Sequence, residues 1–421
     1  MTRILVLTWL LTVTAHDRER VSNSGPGRWT NENTKLQAAS GDPTGETKQH
    51  YRCFDKTAER SGVGGLVHAN LGGGTWVSAP DAYNASLISL DVSRDVGGGV
   101  DSCLSAIDFN LLPTSRNLKY TCKEAHSGIS VRYAPRACWL PDVTASLRRL
   151  VVRHATQPKE RLRVTILGDS LSRESFLSLL GTLRTRWASS PLTCAANLNA
   201  TNSVSFSVRA AFGVDAAAPR FELNYRFTNS LGEAFLNWLD ETRTTTDARE
   251  RAVGDAPRDV VVFNTAFHNP ANASHRIRHL IDAVRGAREQ PWRPERHLEH
   301  RGLLLVYRQT FAPGFATPTG EHDLTKPRTK CWPAKAAPLR CEQSPVCMAE
   351  RALFPELIAA GVVVLEGWEA TAEPAAAQRH IGRMEGRDAY DCLHYCLPGP
   401  LDSVFTQAFL ALLLESLQRG L

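Results

Sequence analysis

Much of what marks other functional classes is missing from this 421-residue sequence. It has no block of like charge: 49 Lys and Arg against 43 Asp and Glu leave a formal net charge of +6, spread over many arginines. Nucleic-acid binding needs a concentrated basic face and so finds little support, while a mild preference for anionic ligands stays open. There is no Cys-x-x-Cys pair, which removes the usual frame of a structural zinc site. The glycine clusters at 72–74 and 97–99 lack the Lys-Ser/Thr of a phosphate loop and read as turns. No internal repeat is evident; the apolar run at the N-terminus is too short for an ordinary spanning helix, and no other stretch is long and apolar enough to span a membrane. The chain nevertheless has 43% hydrophobic and 22% charged residues, enough for a full core in one large domain or two ordinary ones.

What is present begins with targeting signals. Arg3, an apolar run over 4–13 and a Val-Thr-Ala ending at Ala15 fit a signal peptide; a short uncleaved anchor stays open. The ten cysteines are even in number, which in a chain entering the secretory pathway favours disulfides. Asn84, Asn199 and Asn272 each head an Asn-x-Ser/Thr triplet, an acceptor for N-glycosylation in that compartment. The chain divides into residues 1–15 as the targeting segment and 16–50 as a polar, pattern-free linker. Residues 51–160 form a cysteine-containing region of short strands and turns, and 161–421 the catalytic domain.

Residues 162–167, 259–263, 303–307 and 362–365 are largely apolar runs of strand length, interrupted only by Arg163, Thr165 and Asp259. Residues 204–208 and 221–227 alternate apolar and polar. Helical patterns occupy 147–152, 171–187, 274–288, 348–360 and 401–417. Apolar strands alternating with helices predict an α/β fold with a mainly parallel sheet covered on both faces, and such sheets carry their chemistry at the carboxyl ends of strands.

Two stretches carry chemistry. In Val164-Thr165-Ile166-Leu167-Gly168-Asp169-Ser170-Leu171-Ser172-Arg173, a strand breaks at glycine and becomes a helix at Ser170. A serine at that junction is held rigidly beside the positive end of a helix, a favourable place for a nucleophile. Asp391-Cys392-Leu393-His394-Tyr395-Cys396-Leu397-Pro398-Gly399 places a carboxylate three residues before a histidine, so that Asp391 can orient the imidazole while the cysteines pin the segment. Taken alone, that stretch reads first as an ordinary helix-entry loop with an aspartate cap and a surface histidine. A metal site would need further ligands, which are not identifiable, so no metal and no bound cofactor are expected.

Together the two stretches resemble the two halves of a Ser/Asp/His triad in the SGNH (GDSL-type) hydrolase architecture. Reading outward, the chain resembles the trichome-birefringence-like family of polysaccharide O-acetyltransferases. Gly168 to Arg173 is similar to that family's nucleophile block, and Asp391 to Gly399, followed by Asp402, to its closing block. Arg132-Tyr133-Ala134-Pro135 with Cys138-Trp139-Leu140-Pro141, and weakly Gly27-Arg28-Trp29, resemble its N-terminal blocks. Val262-Phe263-Asn264-Thr265 and Val306-Tyr307-Arg308-Gln309-Thr310 resemble its intervening strand ends. The chain departs from the pattern at Tyr395, where tryptophan is usual, at Glu174-Ser175 in place of Asn-Gln, and at Ala266-Phe267-His268-Asn269.

The resemblance implies an SGNH-like three-layer α/β/α fold. Ser170 would be the nucleophile, His394 the base and then acid, and Asp391 the orienting carboxylate. The Ser170 backbone N–H and the Asn264 side chain would form the oxyanion hole. Arg173 and Arg308 are candidates for substrate binding, each with a bland alternative as an exposed or carboxylate-paired arginine; His268 reads as structural. The activity implied is transfer of an acetyl group from acetyl-CoA or another donor to a hydroxyl of a polysaccharide or glycan. A carbohydrate acetylesterase and a catalytically silent glycan-binding protein are the alternatives. The place implied is the secretory pathway, in the Golgi lumen, with secretion or the cell surface as the alternative and the membrane met only through an N-terminal anchor.

Overall fold

A computed structural model describes residues 51–52, 68–70, 75–78, 131–134, 138–139, 146, 150, 162–186, 192–197, 207–212, 221–253, 258–264, 272–289, 303–321, 331, 339–373, 380–383, 390–395 and 402–418. The signal segment, the linker, both glycine clusters, His268, Asn84 and Asn199 lie outside these residues. The short strands β1 (Tyr51–Arg52), β2 (His68–Asn70), β3 (Thr75–Ser78), β4 (Val131–Ala134) and β5 (Cys138–Trp139) come first. Then follow β6 (Leu162–Gly168), α1 (Ser170–Arg186), β7 (Leu192–Asn197), β8 (Ser207–Phe212), β9 (Phe221–Phe227) and α2 (Leu231–Val253). The order continues with β10 (Arg258–Asn264), α3 (Ala273–Glu289), β11 (Leu303–Arg308), α4 (Pro345–Ala359), β12 (Val363–Glu366) and α5 (Trp368–Ala372). The hairpin β13 (His380–Arg383) and β14 (Tyr390–Tyr395) leads to a π-helical turn, Asp402–Thr406, and α6 (Gln407–Gln418).

One eight-stranded sheet organises the chain, in the order β2-β12-β11-β10-β6-β9-β8-β7. Its first six strands are parallel and its last two antiparallel. This is the mostly parallel α/β sheet that the apolar runs predict, with β6 and its serine near the centre. Alternate residues of the strands serve opposite faces. Leu167, Val261, Phe263, Leu305, Tyr307 and Val364 pack beneath α2, α3 and α4, on Phe235, Trp238, Ile277, Leu280, Ile281, Val284, Leu353 and Leu357. Their neighbours Ile166, Val260, Val262 and Val306 are equally buried, and α1 packs on β6, β9 and β10. A parallel sheet buried on both faces explains why these strands are mostly apolar and not strictly alternating. Lateral register is reinforced where Arg163 on β6 meets its sheet partner Asp259 on β10, in a two-pronged ion pair with an Nη2–Oδ2 distance of 2.8 Å.

Several elements differ from the sequence reading. Helix α2 is missed there, although Leu231, Phe235, Trp238, Leu239 and Thr242 fall on one buried face at helical spacing. Its C-terminal half, rich in Thr, Asp, Glu and Arg, dilutes that pattern. Strand β7 is also missed, and the strand expected at 204–208 runs over Ser207–Phe212. Helix α4 begins three residues earlier than periodicity suggests, because Ser344 accepts the Cys347 N–H as an N-cap and Pro345 fits the first turn. It ends at Gly361, whose φ of 78° turns the chain directly into β12. The residues from His50 to Leu421 form one compact unit, and β2, from the region set apart in the sequence reading, is an edge strand of the main sheet. Leu150, in the helix expected at 147–152, is helical and buried, as is Ser146 just before it.

Candidate active site

Ser170 is the first residue of α1, two residues beyond the end of β6. The turn that presents it is anchored from both neighbouring strands. The Thr228 N–H donates to the Gly168 carbonyl at 2.9 Å and the Tyr225 hydroxyl to the Asp169 carbonyl at 2.9 Å. From the other side the Ser172 hydroxyl donates to the Asn264 carbonyl at 3.0 Å. Only glycine fits at 168, since a β-carbon there would lie 1.9 Å from the Asn264 carbonyl oxygen and 2.1 Å from Ser172 Oγ. Asp169 serves as the helix cap, its Oδ1 accepting the Leu171 and Ser172 N–H groups. It is a structural carboxylate and not the orienting acid.

His394 arrives from a differently built element. In the hairpin, Gly382 pairs with Asp391 and His380 with Tyr395, so two residues of β13 span four of β14. The extra residues bulge, and Asp391 Oδ1 closes the bulge by accepting the N–H groups of Leu393 and His394, both at 3.1 Å. In a regular strand, residues three apart point to opposite faces; the bulge is what brings Asp391 and His394 together. Asp391 Oδ2 lies 2.7 Å from His394 Nδ1, and His394 Nε2 lies 2.8 Å from Ser170 Oγ. The hairpin is fastened at Cys392, disulfide-bonded to Cys331, and at its carbonyl, which accepts the Gly314 N–H. The fully buried Tyr395 donates its hydroxyl to the Ala312 carbonyl at 2.7 Å. A second disulfide, Cys341–Cys347, closes the start of α4, so the loop between Cys331 and Cys341 is flanked by two separate bridges.

Electrostatics match an acid–base pair. Burial works against the His394 imidazolium, but the Asp391 carboxylate, Glu174 and the Asp391 hydrogen bond outweigh it and raise its pKa to about 9. Burial likewise opposes the Asp391 carboxylate, yet the imidazolium charge and three hydrogen bonds hold its pKa well below the usual range. The His394 side chain keeps 18% of its surface accessible, so a small group can approach it.

Of the other expected site residues, Arg173 is nearly buried on the first turn of α1, close enough to His394 and Glu174 for its charge to lower the pKa of each. Two expectations are corrected. The Asn264 amide donates both hydrogens elsewhere, to the Arg308 carbonyl at 2.9 Å and Thr310 Oγ1 at 3.0 Å. It ties β10 to the end of β11 and has no hydrogen left for an oxyanion. Arg308 is 1% exposed, its guanidinium 4.5 Å from the Phe311 ring centroid, so it lies under the site and not on a substrate path. Burial lowers its pKa against the opposing pull of Asp169, Glu350, Tyr307 and Glu174.

Three neighbours of the site have no role that the sequence assigns. Glu350 on α4 accepts the Tyr307 hydroxyl at 2.7 Å, the Thr310 hydroxyl at 2.7 Å and the Thr310 N–H at 3.0 Å, which shapes the chain after β11. Burial raises its carboxyl to about 7. Gln309 accepts the Gly367 and Trp368 N–H groups at the start of α5, each at 3.1 Å. Glu174, one helical turn beyond Ser170, is fully buried, and burial raises its carboxyl to about 8. For Glu174 the signal was present, as a carboxylate on the nucleophile's own helix face.

No protein-family model matches the chain, and no curated protein matches it. The functional reading therefore rests on the geometry of these residues.

Proposed function

We propose that the protein is a serine O-acyltransferase of the secretory pathway that moves acetyl groups onto hydroxyls of a glycan or polysaccharide. Its fold is read as an SGNH-like α/β/α sandwich, and its relationship as one to the trichome-birefringence-like O-acetyltransferases, on the two sequence blocks that supply Ser170 and the Asp391–His394 pair. The observation that carries the reading is the unbroken Ser170–His394–Asp391 relay, with contacts of 2.8 and 2.7 Å between residues 224 and 3 positions apart.

Ser170 Oγ attacks the carbonyl carbon of the acetyl donor while His394 Nε2 takes its proton, and the carbonyl electrons move onto oxygen. The Ser170 N–H, at the positive end of α1, is the backbone donor assigned to that oxyanion; deleting one such donor costs about 3–4 kcal/mol in comparable sites. Collapse expels the donor's leaving group, which takes the proton from His394, and leaves acetyl-Ser170. A sugar hydroxyl then attacks the ester, gives its proton to His394, and departs acetylated as Ser170 is reprotonated. Asp391 stays ionised and stabilises the imidazolium in both halves.

The test is incubation of the purified protein with acetyl-CoA and a panel of deacetylated polysaccharides. A mass gain on a glycan, lost in Ser170→Ala, supports transfer. Acetate release from acetylated glycans without any transfer replaces it by an esterase, and an active Ser170→Ala protein removes the triad.

A further inference from the structure

Glu174 has no part in the acyl transfer outlined above, yet it lies in the same electrostatic cluster. It sits four residues after Ser170 on α1, on the face turned toward β14, and has no accessible surface. One carboxyl oxygen, Oε2, is 3.5 Å from the N–H of Tyr395, the residue that follows His394. The other, Oε1, is buried without a hydrogen-bond partner. A carboxyl so poorly bonded costs stability where it stands, so packing alone does not account for it. The charged and titratable groups acting on it come from every side: His394 and Asp391 from β14, Arg173 from its own helix and Arg308 from the end of β11. The Tyr395 phenol, raised far above its usual range by burial first and then by Glu174, is neutral and adds no charge.

We propose that Glu174 is a positioning residue that sets the proton affinity of the His394 imidazole, the two groups holding and releasing protons as one coupled unit. The inference rests on the reading of Ser170, His394 and Asp391 as an acyl-transfer triad. Ionised Glu174 holds the proton on His394; protonated Glu174 lets it go. The burial that keeps a proton on Glu174 and the charge that keeps one on His394 oppose each other. The first proton to leave therefore belongs to the pair and not to either residue. Asp391 alone fixes the ring's direction, and Glu174 fixes the pH at which the ring becomes a base.

Glu174→Gln keeps the shape and removes the charge. The decisive readout is the pH dependence of kcat/KM with p-nitrophenyl acetate, for wild type and Glu174→Gln. The acid limb is expected to move down by about one pH unit and to steepen to a simple one-proton curve. An unmoved limb, or one displaced upward, overturns the inference. A parallel readout needs no turnover: the NMR titration of the His394 imidazole in Ser170→Ala and in Ser170→Ala/Glu174→Gln, where the second protein should titrate lower. If Ser170→Ala abolishes turnover while both titrations coincide, only the role of Glu174 falls. If Ser170→Ala leaves turnover intact, the triad itself falls. Should Glu174→Gln fail to fold, the His394 titration in Ser170→Ala decides alone: a second inflection from Glu174 is expected, and a single one-proton curve overturns the inference.

Discussion

Ser170 and His394 meet at 2.8 Å, but the two sides of that contact are held by opposite means. The Ser170 turn grows out of a central parallel strand and is fixed by sheet continuity, a steric fit at Gly168 and hydrogen bonds from both flanking strands. His394 sits on a two-stranded antiparallel hairpin that lies outside the main sheet and would be marginal alone. It is fixed by a bulge closed on Asp391, a disulfide and the buried Tyr395. The first device is robust because it is the core. The second is separable from the core, and so can be disturbed without unfolding it.

The largest effects should come from the contact where the two regions meet. Ser170→Ala and His394→Ala are expected to lower kcat by about 10⁴-fold or more, and Asp391→Asn by about 10⁴-fold, with unchanged circular dichroism. A loss of less than tenfold in any of them would break the relay.

Breaking the fastening of each region separately sharpens the comparison. Cys392→Ser opens the bridge to Cys331, which spans 61 residues. The chain-entropy model gives roughly 4 kcal/mol for a loop of that length, and activity should fall further than the stability of the main sheet, as hydrogen exchange would show. Gly168→Ala should act the other way. Its β-carbon meets a backbone carbonyl on β10, so it should destabilise the whole sheet by about 1–3 kcal/mol in urea unfolding, with activity lost in step. If the two variants proved indistinguishable, the division of labour would be wrong.

The smallest effect is on pH. His394, Glu174 and Glu350 are raised in the folded state, to about 9, 8 and 7. A raised group stabilises the fold fully below its unfolded value and loses that contribution as pH rises through its folded value. Thermal stability should therefore decline gradually between about pH 5 and 9. Asp391 works in reverse, its contribution being present above its unfolded pKa and lost only as pH falls through its depressed folded value. Over the same range kcat/KM should rise toward about pH 9, as His394 loses its proton. A melting temperature that climbs with pH would contradict the burial of these carboxyls.

How much of this was legible in the sequence follows the same division. The parallel core was readable, since 260–263 and 303–307 are apolar without interruption and 162–167 is broken only by Arg163 and Thr165, as strands buried on both faces tend to be. Ser170 could be placed because a strand, a glycine and a helix follow one another within ten residues. The Asp391–His394 pair was visible as residue types, but its geometry was not: a bulge depends on pairing with β13, which no local pattern reports. Asn264 and Arg308 were misjudged because a strand-end position does not tell whether a side chain faces the site or the neighbouring strand. Glu174 stood out in the sequence only as a departure from the family pattern, since a carboxylate on a helix is ordinarily a solvated one and its burial is set by tertiary packing.

The central claim is that Ser170 carries the acyl group. Peptide mass spectrometry after brief incubation with p-nitrophenyl acetate, quenched in acid, tests it directly. The account predicts one acetyl group on the peptide containing Ser170, absent in Ser170→Ala and accumulating when the acceptor is withheld. An acetyl group found on another residue, or turnover with no acetylated peptide in either protein, would contradict it.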